Sequence, residues 1–222
     1  MCGTLGLVMH MKDLPIFTTE YGAASLILRE IVPQGKAYIR LQATSEPEKL
    51  AAECRDFCRV CGAEEIFAAG HSALAAYPVE TVILELHCRR SALPDTDAAL
   101  WPVQTSTLED WRTIYNRKVR AVPAGAWMTL AEGQAMLQKG DGYFVHRGKT
   151  LLGIGRASVN RIDWVAAVTP GGGRDVVLAL NHLLTEETVV LTVADANRKA
   201  MALYESLGFL PTRELERWYR LR

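Results

Sequence analysis

The chain has 222 residues, 49% of them hydrophobic, and its 25 basic and 25 acidic side chains cancel. That size suffices for one large domain or two small ones, and a net charge of zero gives no electrostatic drive toward nucleic acid or an anionic membrane. No apolar run reaches bilayer-spanning length, and the N-terminus lacks a basic region followed by a long apolar one. Cys2, Cys54, Cys58, Cys61 and Cys88 are odd in number and clustered, unlike a secreted disulfide framework, so a cytoplasmic protein is expected.

Residues 1–16 show no clear period. Strands are expected at about Ala23–Ile31 and Lys36–Gln42, joined by Val32-Pro33-Gln34-Gly35, a turn by composition. Ser45-Glu46-Pro47-Glu48 carries helix-start signals, and the helix should run to about Cys61, where Gly62 stops it. Glu65–Ala69 reads as a short strand and Ser72–Tyr77 as a turn or one helical turn. Val79–Cys88 alternates through Val82, Leu84, Leu86 and Cys88, as a strand does. Ser91–Ala99, with Pro94 and Asp95, has linker composition. The expected division is therefore an N-terminal α/β half, 1–100, and a second domain, 101–222.

From Trp101 the chain changes character. Val103–Thr105 reads as a short strand, and Thr107-Leu108-Glu109-Asp110 as a capping box before a helix to about Arg120. Leu130–Gln138 is a second helix, ended by Gly140. Tyr143–His146 and Thr150–Ser158 form a hairpin around Arg147-Gly148-Lys149. Ile162–Val168 is a strand, followed by the loop Thr169-Pro170-Gly171-Gly172-Gly173 and the apolar helix Arg174–Leu184. Val189–Val193 is a buried strand, and Asn197 caps a helix whose apolar face is Ala200, Leu203 and Leu207 and whose stop is Gly208. A last strand lies near Glu216–Leu221. The order Tyr38–Gln42, helix Pro47–Cys61, Glu65–Ala69 repeats that of Trp164–Val168, helix Arg174–Leu184, Val189–Val193.

The pattern Asn197-x-x-Ala200-x-x-Leu203-Tyr204-x-x-x-Gly208-Phe209 resembles the last conserved segment of the GCN5-related N-acetyltransferases, the GNAT family. The element order of 101–222 matches that family throughout. The resemblance implies an α/β GNAT acyl-CoA N-acyltransferase fold, a mixed, mostly antiparallel sheet with flanking helices. The preceding N-terminal α/β half then reads as a degenerate GNAT-like lobe. That half has no glycine loop between strand and helix and is not expected to bind a pyrophosphate.

By the same resemblance the co-substrate is acetyl-CoA and the reaction is direct acetyl transfer to an amine in a ternary complex. The acceptor, a small-molecule or peptide amine, is not legible. In Val168-Thr169-Pro170-Gly171-Gly172-Gly173-Arg174-Asp175, a Gly-rich turn opens a helix, where backbone N–H groups and the helix dipole favour phosphate oxygens. Gly171 and Gly173 fit the small positions of the family pattern Arg/Gln-x-x-Gly-x-Gly/Ala, Val168 replaces its Arg or Gln, and Arg174 is a substitute charge. The implied cofactor set is Val168, Gly171, Gly172, Gly173, Arg174 and Asp175, with Asn197 on the CoA arm. Gly172→Asp is expected to abolish binding with the fold intact. Tyr204 sits where many GNAT enzymes place the general acid that protonates the leaving thiolate. An alkylamine is protonated at neutral pH, so a base is needed too, and Asp163 is the one carboxylate on the strand before the loop. His146 and His182 are lesser candidates. A bulge in that strand, as in the family, would free a backbone N–H for the thioester carbonyl, assigned here to Val168.

Cys54-x-x-x-Cys58-x-x-Cys61 matches the cysteine spacing of radical SAM iron–sulfur ligands, but the same spacing is one face of an amphipathic helix with Leu50 and Phe57. No metal is expected there: a zinc site would lack a fourth ligand of suitable local spacing, with only His71 or Cys88 to approach in the fold. The competing functional readings are a catalytically inactive GNAT-like protein that binds acyl-CoA or a partner, and a structural or dimerising module, which leaves a homodimer open.

Overall fold

The computed structural model describes residues 15–221; most of the stretch without a clear period, and Cys2 with it, lies outside the described residues. In chain order the elements are β1 (Ile16–Thr19), β2 (Gly22–Ile27), α1 (Ile31–Gln34), β3 (Lys36–Thr44), α2 (Pro47–Val60), β4 (Glu65–Ala69) and β5 (Val79–Arg89). Then follow β6 (Ala99–Pro102), α3 (Leu108–Val119), α4 (Leu130–Lys139), β7 (Gly142–Arg147), β8 (Thr150–Ser158) and β9 (Arg161–Ala167). The chain closes with α5 (Gly173–Asn181), β10 (Thr188–Ala194), α6 (Arg198–Ser206) and β11 (Leu210–Leu221).

Two compact units result: Leu84–Arg213, and residues 15–83 with 214–221. The sequence placed its boundary near residue 100; the units instead change at Ile83/Leu84 and at Arg213/Glu214. In the smaller unit the strand order is β1-β2-β3-β4-β11-β5, and in the larger β11-β5-β10-β9-β8-β7-β6. The stretch expected to be a linker is ordered locally: Arg90–Ala92 is a 3-10 turn, and Arg90 N–H donates to Glu187 O at 2.7 Å. The short strand expected at Val103–Thr105 lies four residues earlier. Ala99 to Pro102 pair with His146 to Tyr143, and Pro102, having no N–H, closes the strand.

In the smaller unit β3 and β4 are parallel over five registers, Lys36↔Glu65 to Arg40↔Ala69, with α2 as their crossover. Pro at its first turn and Glu48 start α2. Its apolar face, Leu50, Ala51, Cys54 and Cys58, packs with Leu26, Ile39, Leu41, Ile66 and Ala68. The cysteine spacing is therefore a helix face: Cys54 and Cys58 are buried and Cys61 is exposed.

In the larger unit α5 is buried from Val176 to Asn181. It lies against β8 where that strand has no side chains: a Cβ on Gly155 would stand 2.4 Å from Leu180 Cδ1. The other sheet face carries Ile154 and Trp164 under Trp111, Tyr115 and Val119 of α3 and Met136 of α4. The α3–α4 connection is pinned to α3. Asn116 Oδ1 accepts from Met128 N–H at 2.8 Å, its Nδ2 donates to Met128 O at 3.0 Å, and Tyr115 OH donates to Ala126 O at 3.1 Å.

Burial pushes the Cys54 thiol up to about 11 and the Cys58 thiol up to about 12. Because the thiolate is the reactive form, alkylation of the native protein at pH near 8 should modify Cys61 and leave Cys54 and Cys58 untouched until the protein is unfolded. Peptide mass spectrometry reads the pattern, and rapid native labelling of Cys54 or Cys58 would contradict it.

Candidate active site

The site begins with a ladder that stops early. β9 and β10 are parallel, yet they pair only at Val190↔Arg161 and Leu191↔Ile162. β9 runs on to Ala167 and β10 to Ala194, so the two facing edges part. The gap, a cavity of about 50 Å³, is lined by Ile162, Asp163, Trp164 and Val165 on one side and Thr192, Val193 and Ala194 on the other. Asn197, Ala200 and Tyr204 of α6 and its cap close one end, and Val122 enters from the α3–α4 connection.

The parting coincides with a bulge. Between β8 and β9 the register steps from Arg156↔Trp164 to Ala157↔Ile162, which leaves Asp163 as the extra residue. A bulged residue is re-aimed, and Asp163 turns into the gap. Ser158 Oγ donates to it at 3.3 Å, and Arg161 Nε lies 3.5 Å from its Oδ1. Burial raises the Asp163 carboxyl above the usual carboxylate range, against the pull of Arg156 and Arg161.

Tyr204 is 7% exposed and meets Phe209 edge-on at 5.9 Å. Burial pushes its phenol up to about 12, so it keeps its proton at neutral pH. Among the described residues its hydroxyl has no hydrogen-bond partner, and the residue lines the gap. The indole N–H of Trp164, in the same lining, is likewise buried without a partner among the described residues. Asn197 caps α6, its Oδ1 accepting from Ala200 N–H at 3.4 Å. Asp163, Tyr204 and Asn197, 41 residues apart at most, thus meet in one cavity.

The glycine loop lies outside that lining. Gly171 is left-handed at φ 82° with open space where a Cβ would stand, and Gly172 is the N-cap of α5. No side chain caps α5, so the N–H groups of its first turn, from Gly173 to Asp175, point out of the helix end. Arg174 there is exposed.

One expectation for this loop needs correcting. The Val168 N–H is not free: it donates to Leu152 O at 2.8 Å, because β8 still pairs with the chain at that point. The Asp175 carboxylate accepts at Oδ1 from Arg147 Nη2 at 2.9 Å and from Thr96 Oγ1 at 3.3 Å, so it is the backbone of this residue that the helix end leaves open. His146 and His182 are absent from the cavity lining, and His182 Nε2 lies 2.8 Å from Asp95. The ion pairs around Asp163 were missed in the sequence, since Asp141, Arg156 and Glu85 stand 7 to 78 residues away from it and only the folded sheet brings them near. Among the described residues no group of three or more His, Cys, Asp or Glu is placed to hold a metal ion. No described helix is long and apolar enough to cross a membrane.

No family model matches the sequence, and no curated protein matches it. Solved structures do. A functionally unknown conserved protein from Staphylococcus epidermidis aligns with a TM-score of 0.57 at 13% identity, over 94% of this chain and 93% of its own. A GCN5-related N-acetyltransferase from Sphaerobacter thermophilus aligns at 0.54 and 13% identity, over 90% and 76%. A GNAT-family acetyltransferase from Colwellia psychrerythraea aligns at 0.51 and 13% identity, over 93% and 84%. The chain has the GNAT fold. The likeness covers 90–94% of the chain in these three and so is not confined to residues 101–222. Identity this low speaks for the fold alone.

The close packing of the loop changes one mutational expectation. A Cβ on Gly172 would stand 2.7 Å from the backbone oxygen of Leu152, so Gly172→Asp would not leave the fold intact. Gly172→Ala is expected to cost about 1–3 kcal/mol of stability, read as a lowered midpoint in chemical denaturation.

Proposed function

We propose that the protein is an N-acetyltransferase that moves the acetyl group of acetyl-CoA to an amine. The carrying observation is the gap between β9 and β10, in which a carboxylate with raised proton affinity and an unpartnered phenol meet. The GNAT fold supports the reading as analogy. In the proposed arrangement the uncapped first turn of α5 receives the pyrophosphate, with Gly171 and Gly172 offering no side chain against it and Arg174 adding charge. Asn197 stands at the cavity and can reach the CoA arm without giving up its capping bond.

The residues then divide the proton work. The Asp163 carboxylate takes a proton from the acceptor ammonium, and the neutral amine attacks the thioester carbonyl. The unpaired edge of β9 beyond Ile162 presents peptide groups toward the gap, where an N–H can meet the developing oxyanion. As the new C–N bond forms and the C–S bond breaks, Tyr204 delivers its proton to the departing thiolate. No covalent enzyme intermediate is needed. The acceptor is a small-molecule or peptide amine, and the four free cysteines among the described residues fit a reducing, cytoplasmic setting.

Calorimetric titration with acetyl-CoA, followed by an amine panel with thiol detection, tests the reading. Binding with turnover of at least one amine is expected. Binding without turnover of any amine would instead favour a non-catalytic acyl-CoA-binding protein, and absence of binding would sink the proposal.

Tyr204→Phe should leave acetyl-CoA affinity near wild type and reduce turnover by about 10²–10⁴-fold. A lowered melting temperature with near-normal turnover would make Tyr204 a packing residue. The pH–rate profile should rise through the Asp163 midpoint, above the usual carboxylate range, because only the ionised carboxyl accepts a proton. The falling limb, set by a phenol near about 12, should lie beyond the accessible range.

A further inference from the structure

Trp111 and Trp164 share the core between α3 and the sheet, and their indoles fare differently. Trp111 Nε1 donates to the backbone oxygen of Tyr143 at 3.1 Å. Trp164, on β9, is 8% exposed, and its ring centroid lies 4.5 Å from that of Tyr115. Its Nε1 is buried and has no partner among the described residues. A buried N–H without an acceptor is costly, and buried indoles usually find one. The polar side chains of α3 in that core are bonded elsewhere: Tyr115 OH donates to Ala126 O, and Asn116 is bonded both ways to Met128.

Trp164 is also part of the cavity lining. It follows the bulged Asp163 in the chain and stands two residues past Ile162, where the pairing of β9 with β10 ends. In a regular strand such neighbours point to opposite faces; at the bulge both line one cavity. That cavity measures about 50 Å³. One water needs roughly 10–15 Å³ by this measure, so the space takes a group of about three or four heavy atoms. An acetyl group is of that size and a whole acceptor is not. Of the atoms that the transfer brings there, the ammonium has no lone pair to offer, and the sulfur meets Tyr204. The carbonyl oxygen is the acceptor present in every turnover, and an indole nitrogen can only donate.

We infer that the Trp164 indole N–H is a catalytic hydrogen-bond donor to the carbonyl oxygen of the acetyl group. The inference rests on the acetyl-transfer reading of this cavity. As the neutral amine attacks and the C–N bond forms, the carbonyl π electrons move onto the oxygen, and the indole N–H holds that charge without giving up its proton. When the pair returns, the C–S bond breaks, its electrons leave with the sulfur, and Tyr204 protonates the thiolate. Trp164 thus adds a fixed side-chain donor to the peptide N–H of the open β9 edge, and a donor already in place costs no reorganisation as the charge develops.

The test is the indole proton–nitrogen NMR signal of Trp164 in the full chain, assigned through that residue's own backbone resonances. Acetyl-CoA should move the indole proton downfield. CoA, and S-ethyl-CoA with a methylene in place of the carbonyl, should leave it near its position in the free protein. A signal that stays put with acetyl-CoA, or moves as far with S-ethyl-CoA, overturns the inference. Trp164→Phe keeps an aromatic ring beside Tyr115 and deletes the N–H. It should lower turnover about 10²–10³-fold, the usual loss for one oxyanion donor, with acetyl-CoA affinity near wild type; near-normal turnover overturns the inference. If that variant fails to fold, or no amine turns over, the wild-type signal decides alone. Failure to bind acetyl-CoA in calorimetry overturns the transferase reading and this inference with it, whereas binding with an unmoved indole signal overturns the inference alone.

Discussion

A β-strand edge that stops pairing must do something with its peptide groups, and the candidate site depends on that constraint. Backbone N–H and C=O groups left without partners are costly when buried. β9 and β10 leave such groups unpaired after only two registers. Everything else near the site follows from the parting: a cavity between the strands, a bulge that turns Asp163 into it, and α6 placed so that Tyr204 forms its end. β8 keeps its pairing on both sides of Asp163 and also accepts the Val168 N–H at Leu152 O.

The smaller unit supplies an internal control. It has the same strand–helix–strand order, and β3 and β4 are also parallel, yet their ladder runs five registers without a break. No carboxylate bulges from β3 and no glycine turn precedes α2. The two strand–helix–strand units thus differ in whether the parallel pair stays closed, in the bulged carboxylate and in the glycine turn, and the open one has a cavity in which Asp163 and Tyr204 meet.

Much of this was legible in the sequence. The helices at Pro47, Leu108, Leu130 and Arg198 announce themselves through capping residues and period, and Gly35, Gly140 and Gly208 adopt the left-handed conformations that their positions imply. Tyr204 and Asp163 were singled out by position in a motif and by being the one carboxylate on a strand. What the sequence did not carry was the partner of each group. A free N–H is expected at Val168 because a pattern says nothing of Leu152, and the bonds of the Asp175 carboxylate are not legible because Arg147 and Thr96 lie 28 and 79 residues away. Gly172 looked like an open loop residue, but β8 passes 2.7 Å from where its Cβ would stand. The edge strand Ala99–Pro102 falls between the stretch that reads as linker and the strand expected at Val103–Thr105, since pairing with β7, not propensity, makes it a strand.

The division of the chain at 83/84 and 213/214 has a consequence for synthesis on the ribosome. The smaller unit recruits residues 214–221, which are translated after the whole of Leu84–Arg213, although its residues up to Ile83 are translated before that stretch. Its sheet therefore waits with the edge of β4 uncovered while some 130 residues of the larger unit are made, a non-local closure of the slow kind. An exposed strand edge is a template for wrong pairing, so the nascent chain has an interval in which chaperone occupancy matters. The final eight described residues end that interval by pairing Tyr219 with Ala68 and Leu221 with Ile66.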